Sequence, residues 1–227
     1  MRVNSQSFCT VLIINLCFSG LVFGSSQDLN GSSADTRVYQ GGDFNSSSIY
    51  QARDSAEASA AAITQDGSEN YAVVIQDASK GSIATIEQLG DSHSALIKQS
   101  SGNHNHTALF QFDSDNAADL TQSGLYGSAV VNQRGTSNTV RVIQSGENNS
   151  VDIDQGNTLN ISEVTQSGAW NTGSITQTGS GFSAVKQTGI GSSGWVNSAT
   201  IVQSTVGDVA IITQTGLGGN RASITQR

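Results

Sequence analysis

Residues 65–76 read Gln65-Asp66-Gly67-Ser68-Glu69-Asn70-Tyr71-Ala72-Val73-Val74-Ile75-Gln76, and residues 133–144 read Gln133-Arg134-Gly135-Thr136-Ser137-Asn138-Thr139-Val140-Arg141-Val142-Ile143-Gln144. Both segments open on Gln, pass a Gly and an Asn, and close on an alternating stretch that ends in Gln. Apolar and polar residues alternating with a period of two describe a half-buried β-strand. Gly and Asn tolerate positive φ, so the six residues before the alternation read as a turn. The unit is therefore a strand of about five residues and a turn of about six. An eleven-residue helical repeat would not tolerate Gly in most units.

Working outward, the Gln recurs at Gln40, Gln51, Gln65, Gln76, Gln88, Gln99, Gln111, Gln122, Gln133, Gln144, Gln155, Gln166, Gln177, Gln187, Gln203, Gln214 and Gln226. Two residues earlier lies an aliphatic every time. After Val38 and Ile49 come Ile63, Val74, Ile86, Ile97, Leu109, Leu120, Val131, Val142, Ile153, Val164, Ile175, Val185, Ile201, Ile212 and Ile224. Small or β-branched residues stand four earlier, as at Ala61, Ala84, Thr107 and Val140. Asn follows the Gln by five residues at Asn45, Asn70, Asn116, Asn138, Asn149, Asn160 and Asn171. Gln shares parity with the aliphatics, so it is expected to point inward. A buried amide without a partner costs about 1–3 kcal/mol, which stacking in register offsets.

The predicted fold is all-β, a two-sheet β-solenoid with two strands and their turns in a rung of about 22 residues, rungs ~4.8 Å apart. The repeat region runs over 36–227 as about 17 half-repeats, interrupted at Ala52–Ala62 and by a Gly/Ser-rich insertion at Ile190–Asn197. Composition agrees. The chain has no Pro, 25 Gly, 6% aromatic and 12% charged residues. That suits a ladder of small side chains better than a packed globule.

Arg2 and the apolar run Phe8–Phe23, followed by Val22-Phe23-Gly24 before Ser25, predict a signal peptide over 1–24 and a short segment over 25–35. Both cysteines, Cys9 and Cys17, fall within that signal, so the processed chain is expected to lack thiol chemistry and disulfides. The formal charge of −8 carries no basic patch, which argues against nucleic acid as a partner. His104 and His106 share a turn region without carboxylate or thiol support and read as solvated, not as metal ligands. Trp170 and Trp195 fall between strands and read as surface packing. Catalytic residues, a cofactor and a small-molecule substrate are not expected.

The Gln-x-Gly-x-x-Asn-x-Ala-x-Ile-x-Gln form resembles the curlin family, the subunits of bacterial curli. Gln144-Ser145-Gly146-Glu147-Asn148-Asn149 repeats its first half, and the pattern covers roughly residues 36–227. The resemblance implies a non-enzymatic, secreted subunit of extracellular amyloid fibres on a bacterium with an outer membrane. It further implies a role in adhesion and the biofilm matrix, with curli secretion and anchoring proteins as accessory partners. Ser223-Ile224-Thr225-Gln226-Arg227 is similar to the end of the minor, nucleating subunit; the major, fibre-forming subunit is the alternative. With Gln226 next to last, both ends are expected to be uncapped and open to edge-to-edge stacking by the same or a homologous subunit. A monomeric β-solenoid ligand-binding module is the alternative of another class. Its outward Thr row (Thr64, Thr121, Thr165, Thr176, Thr213, Thr225) is interrupted by Tyr50, Glu87, Lys98, Phe110 and Ile143.

Overall fold

Short alternating segments separated by turns cannot bury their apolar face alone; they must stack. The computed structural model describes residues 10–16, 23–28, 35–51, 59–77 and 79–227, the first two segments as backbone. Every regular element among them is a strand. Successive strands go to opposite sheets, so each strand pairs in parallel with the strand two ahead of it.

The first sheet, A, holds β1 (Thr10–Leu16), β3 (Asp35–Gly41), β5 (Ala60–Asp66), β7 (Ile83–Asp91), β9 (His106–Ser114), β11 (Ser128–Gln133), β13 (Ser150–Gln155), β15 (Asn171–Gln177), β17 (Asn197–Gln203) and β19 (Arg221–Gln226). The second, B, holds β2 (Phe23–Asp28), β4 (Ser46–Gln51), β6 (Tyr71–Asp77), β8 (Ser94–Asn103), β10 (Ala117–Leu125), β12 (Thr139–Glu147), β14 (Ile161–Ala169), β16 (Gly181–Gln187) and β18 (Asp208–Gln214). The result is a two-sheet β-solenoid of about 8 turns, ~23 residues per turn.

Register follows the Gln. Gln65 pairs with Gln88, Gln88 with Gln111, and Gln122 with Gln144. The irregular spacings leave the register intact: Gln177 pairs with Gln203 and Gln187 with Gln214. The insertion after β16 is an excursion from a turn. It is closed by an antiparallel bridge between Ser192 and Trp195 and tied back where Ile190 bridges Ala169 and Leu217. Extra residues are absorbed at the edge because a one-residue slip inside a strand would turn its apolar set outward.

The strands differ from the expected five residues. They run from 6 to 10, and several continue past the Gln, as β12 does through Ser145, Gly146 and Glu147. Those residues pair with Ser167, Gly168 and Ala169, so the turn backbone is itself laddered. Between the sheets lies a thin core of Ile49, Ile63, Val74, Ile86, Ile97, Leu109, Leu120, Val131, Val142, Ile153, Val164, Ile175, Val185, Ile201 and Ile212, with Ile224 partly buried. The small residues two positions earlier, such as Ala72, Ala84, Ala95 and Ala129, are buried as well.

Most of the expected signal, residues 1–24, lies outside the described residues. Of it, Thr10–Leu16 and Phe23–Gly24 are strand backbone pairing with β3 and β4. The interruption expected at Ala52–Ala62 likewise lies outside them at 52–58, and β5 begins at Ala60.

Candidate functional site

The stacked interior places two columns of Gln side by side, one per sheet. Each side-chain Nε2 donates to the Oε1 of the Gln one rung further along the chain. The sheet A column runs from Gln40 to Gln226 and the sheet B column from Gln51 to Gln214. All fifteen bonds point the same way, at 2.5–3.1 Å. Every Gln of the set is buried except Gln226. Each column is thus a polar hydrogen-bonded chain inside an apolar slot, with donor and acceptor ends that differ.

The second Nε2 hydrogen has its own use. Gln111 donates to the Ser94 carbonyl at 3.2 Å, Gln133 to Ala117 at 3.1 Å, and Gln144 to Ser128 at 3.0 Å. In each case the acceptor opens a strand in the opposite sheet. A strand's end faces the preceding strand's start across the slot, so the amide ties the two sheets together. Three of the amide's hydrogen-bonding roles are filled at once, and a carboxylate, having no donor, could not fill them. Hydroxyls from the small-residue column assist: Ser162 Oγ donates to Gln177 Oε1 at 2.6 Å. At the amino-terminal rungs, the buried Oε1 atoms of Gln40 and Gln51 receive no hydrogen bond.

A second pair of columns runs through the turns. On the edge where sheet A passes to sheet B, Asn45 Oδ1 accepts the backbone N–H of Asn70, and Asn70 Oδ1 accepts that of His93. Further along, Asn116 Oδ1 accepts from Asn138 and Asn138 Oδ1 from Asn160. The Nδ2 groups of Asn45, Asn116 and Asn138 each donate twice, and that of Asn70 once, to the Gly90 carbonyl. Asn138 Nδ2 reaches its own turn at the Arg134 carbonyl, 2.9 Å away, and the next rung at the Asn157 carbonyl, 3.0 Å away. On the opposite edge, the Asn171 backbone N–H donates to Asn149 Oδ1, and Asn105, Asn197 and Asn220 join the column. The columns fail where the turn residue changes. Gly181 is one position before Phe182, which pairs with Ile161, so it follows Asn160 in the column, and Asn160 Oδ1 has no partner.

Replacing Asn138 by Ala removes four hydrogen bonds and leaves the Asn160 N–H without its side-chain acceptor. The guanidinium midpoint should fall by the equivalent of about 2–4 kcal/mol. Unfolding followed by circular dichroism checks this, and a midpoint within error of the parent's would mean the turn column contributes nothing.

Sequence reasoning from the Asn positions alone missed His93, Ser82, Asn105, Asn197 and Asn220 in these columns. His93 was findable, because it stands five residues after Gln88. The other two histidines sit elsewhere. His104 stacks on Tyr126, rings 5.1 Å apart and 6° from parallel, and His106 is exposed on sheet A. Trp195 is exposed and Trp170 half-buried. Among the described residues no group of three or more His, Cys, Asp or Glu is placed to hold a metal ion. The outward Thr residues are divided between the two faces, Thr64, Thr176 and Thr225 on sheet A and Thr121, Thr165 and Thr213 on sheet B.

The site is thus a repeating stack surface. No curated protein matches the chain. Residues 127–156, which span β11 to β13 with their turns, match the family model of the curlin associated repeat, and this match supports the curlin family for the chain.

Proposed function

We propose that the chain is a structural subunit of curli-type extracellular amyloid fibres, and that it is the minor subunit, which templates polymerisation at the cell surface. The observation that carries the fibre reading is the single direction of the Gln columns; the minor assignment rests on the resemblance of Ser223-Ile224-Thr225-Gln226-Arg227 to the end of the nucleating subunit. Every rung offers donors to one neighbour and acceptors to the other, so each rung is the chemical template for the next. A rung of a second copy, or of a homologous subunit, meets the same demand as a rung of this chain. Adhesion and support of a biofilm matrix follow from such fibres. Export completes the proposal: the signal is cleaved after Gly24, and accessory secretion and anchoring proteins handle the processed chain outside the outer membrane.

Purified processed chain should give cross-β diffraction and should elongate when seeded with its own fragments. A chain that stays monomeric at high concentration overturns the reading. The major-subunit alternative has the same stack, and a deletion strain separates the two. Soluble, unpolymerised partner subunit released from the cells marks the nucleator; loss of nearly all fibre mass marks the major subunit. The ligand-binding module is disfavoured by the division of its Thr row between two faces.

A further inference from the structure

One member of the turn columns is titratable, and its hydrogen-bonding character depends on its protonation state. His93 takes the place of Asn between Asn70 and Asn116 and is 1% exposed. Its backbone N–H donates to Asn70 Oδ1 at 3.0 Å. Its Nδ1 lies 3.3 Å from the Asn116 backbone N–H, where an Asn would present Oδ1. Its Nε2 lies 3.4 Å from the Leu89 carbonyl, four residues back, where an Asn would present Nδ2. A backbone N–H can only donate, so Nδ1 must carry the lone pair and Nε2 the proton. The neutral imidazole with its proton on Nε2 thus reproduces the Asn pattern: acceptor toward the next rung, donor into its own turn. Protonating Nδ1 would set an N–H against the Asn116 N–H.

We propose that His93 is a proton-operated break in this turn column: neutral, it continues the stack as Asn does; protonated, it parts the rung of β7 from that of β9 at this edge. The charged residues in the turns of the three rungs that meet at this edge are acidic, and Asp91, Asp113 and Asp115 act on the imidazole. Asp66 and Glu69 belong to the preceding rung, Asp91 to its own, and Asp113 and Asp115 to the next. Arg134, one rung further, lies over the Phe112 ring. Burial holds the imidazole's pKa below its ordinary value, against the opposing pull of the Leu89 carbonyl, Asp115, Asp91 and Asp113. The folded state therefore keeps His93 neutral while the unfolded chain takes up a proton. Stability is fully present above the unfolded pKa of about 6.5 and falls as pH drops below it, until the lowered folded pKa is reached.

The break belongs to a single chain; only its use as a brake on fibre growth in mild acid rests on the proposed fibre reading. The test is guanidinium unfolding of the full monomeric chain at pH 7.5 and 5.5. The folding equilibrium constant of the parent should fall between them, by at most about tenfold, the limit for one group whose unfolded pKa is about 6.5. His93→Asn should abolish that fall, whereas the His104→Asn/His106→Asn double variant should retain it. The proposal is overturned if His93→Asn keeps the parent's pH dependence, or if the double variant loses it. Nitrogen-15 NMR of His93 in the unmutated chain at pH 7.5 gives an independent reading should a variant fail to fold. A non-protonated Nδ1 is expected, and a proton on Nδ1 overturns the proposal. None of these readouts needs polymerisation, so a chain that forms no fibres would defeat the fibre reading and leave this one decided by its own result.

Discussion

Gln144→Leu is expected to lower the stability of the stack by about 3–6 kcal/mol, although the two side chains are close in volume. Gln144 sits in mid-column, buried. Its Oε1 accepts from Gln122 Nε2 at 2.7 Å, and its Nε2 donates to Gln166 Oε1 at 2.9 Å and to the Ser128 carbonyl at 3.0 Å. Leucine offers the surrounding slot more apolar surface but leaves a donor below, an acceptor above and a carbonyl across without this partner. Gln122, Gln144 and Gln166 are buried, so each loss costs about 1–3 kcal/mol. Its neighbour Ile143 points out of sheet B, and Ile143→Thr should cost less than about 1 kcal/mol. The guanidinium midpoints of the two variants check this. If Ile143→Thr is as damaging as Gln144→Leu, the amide column is not what holds the rungs in register.

Gly124→Ala should be comparably severe, for a different reason. Gly124 has φ +134°, a region that L side chains rarely adopt, and an added Cβ would lie 2.0 Å from the Gly146 carbonyl oxygen on the next rung. The obstacle is the Gly146 backbone, held at that distance by the parallel pairing of β10 with β12. Backbone strain alone costs about 1–3 kcal/mol, and the collision adds to it. Gly216 separates the two contributions: its φ is +114°, and nothing lies within 4 Å of the added Cβ. The midpoint shift for Gly216→Ala should therefore be no more than half that for Gly124→Ala. Equal shifts would show that the conformation, and not the closeness of the rungs, selects glycine here.

These predictions draw on features of unequal legibility. The parity of Gln144 with Val142 and Val140 places all three on one face, so the inward Gln could be read from spacing alone. Its bond to the Ser128 carbonyl could not. That contact depends on the end of one strand meeting the start of another across the slot, a relation between residues 16 apart in the chain. His93 shows the converse: it was legible by position, five after Gln88, but not by residue type. An imidazole that imitates an amide requires both of its nitrogens to be aimed, and the aim comes from Leu89 on its own rung and Asn116 on the next.

The length of the strands escaped for a related reason. Ser145-Gly146 reads as turn composition, and locally it is a turn, with Gly146 at φ +97°. It still pairs with Ser167 and Gly168 because every rung repeats the same turn at the same place. Pairing is a property of the neighbouring rung, and local composition carries no record of it.

By itself, the order of residues determined the period, the face each side chain takes and the all-β stacked architecture, because a two-residue alternation and turn residues at fixed offsets are local facts of chain geometry. Only the tertiary structure decided that every Gln points its donor the same way, that the amide also ties the two sheets, and that one histidine stands in an asparagine column. Those are choices among hydrogen-bond partners on other rungs, and a side chain's partner is set by what stacking brings within about 3 Å of it.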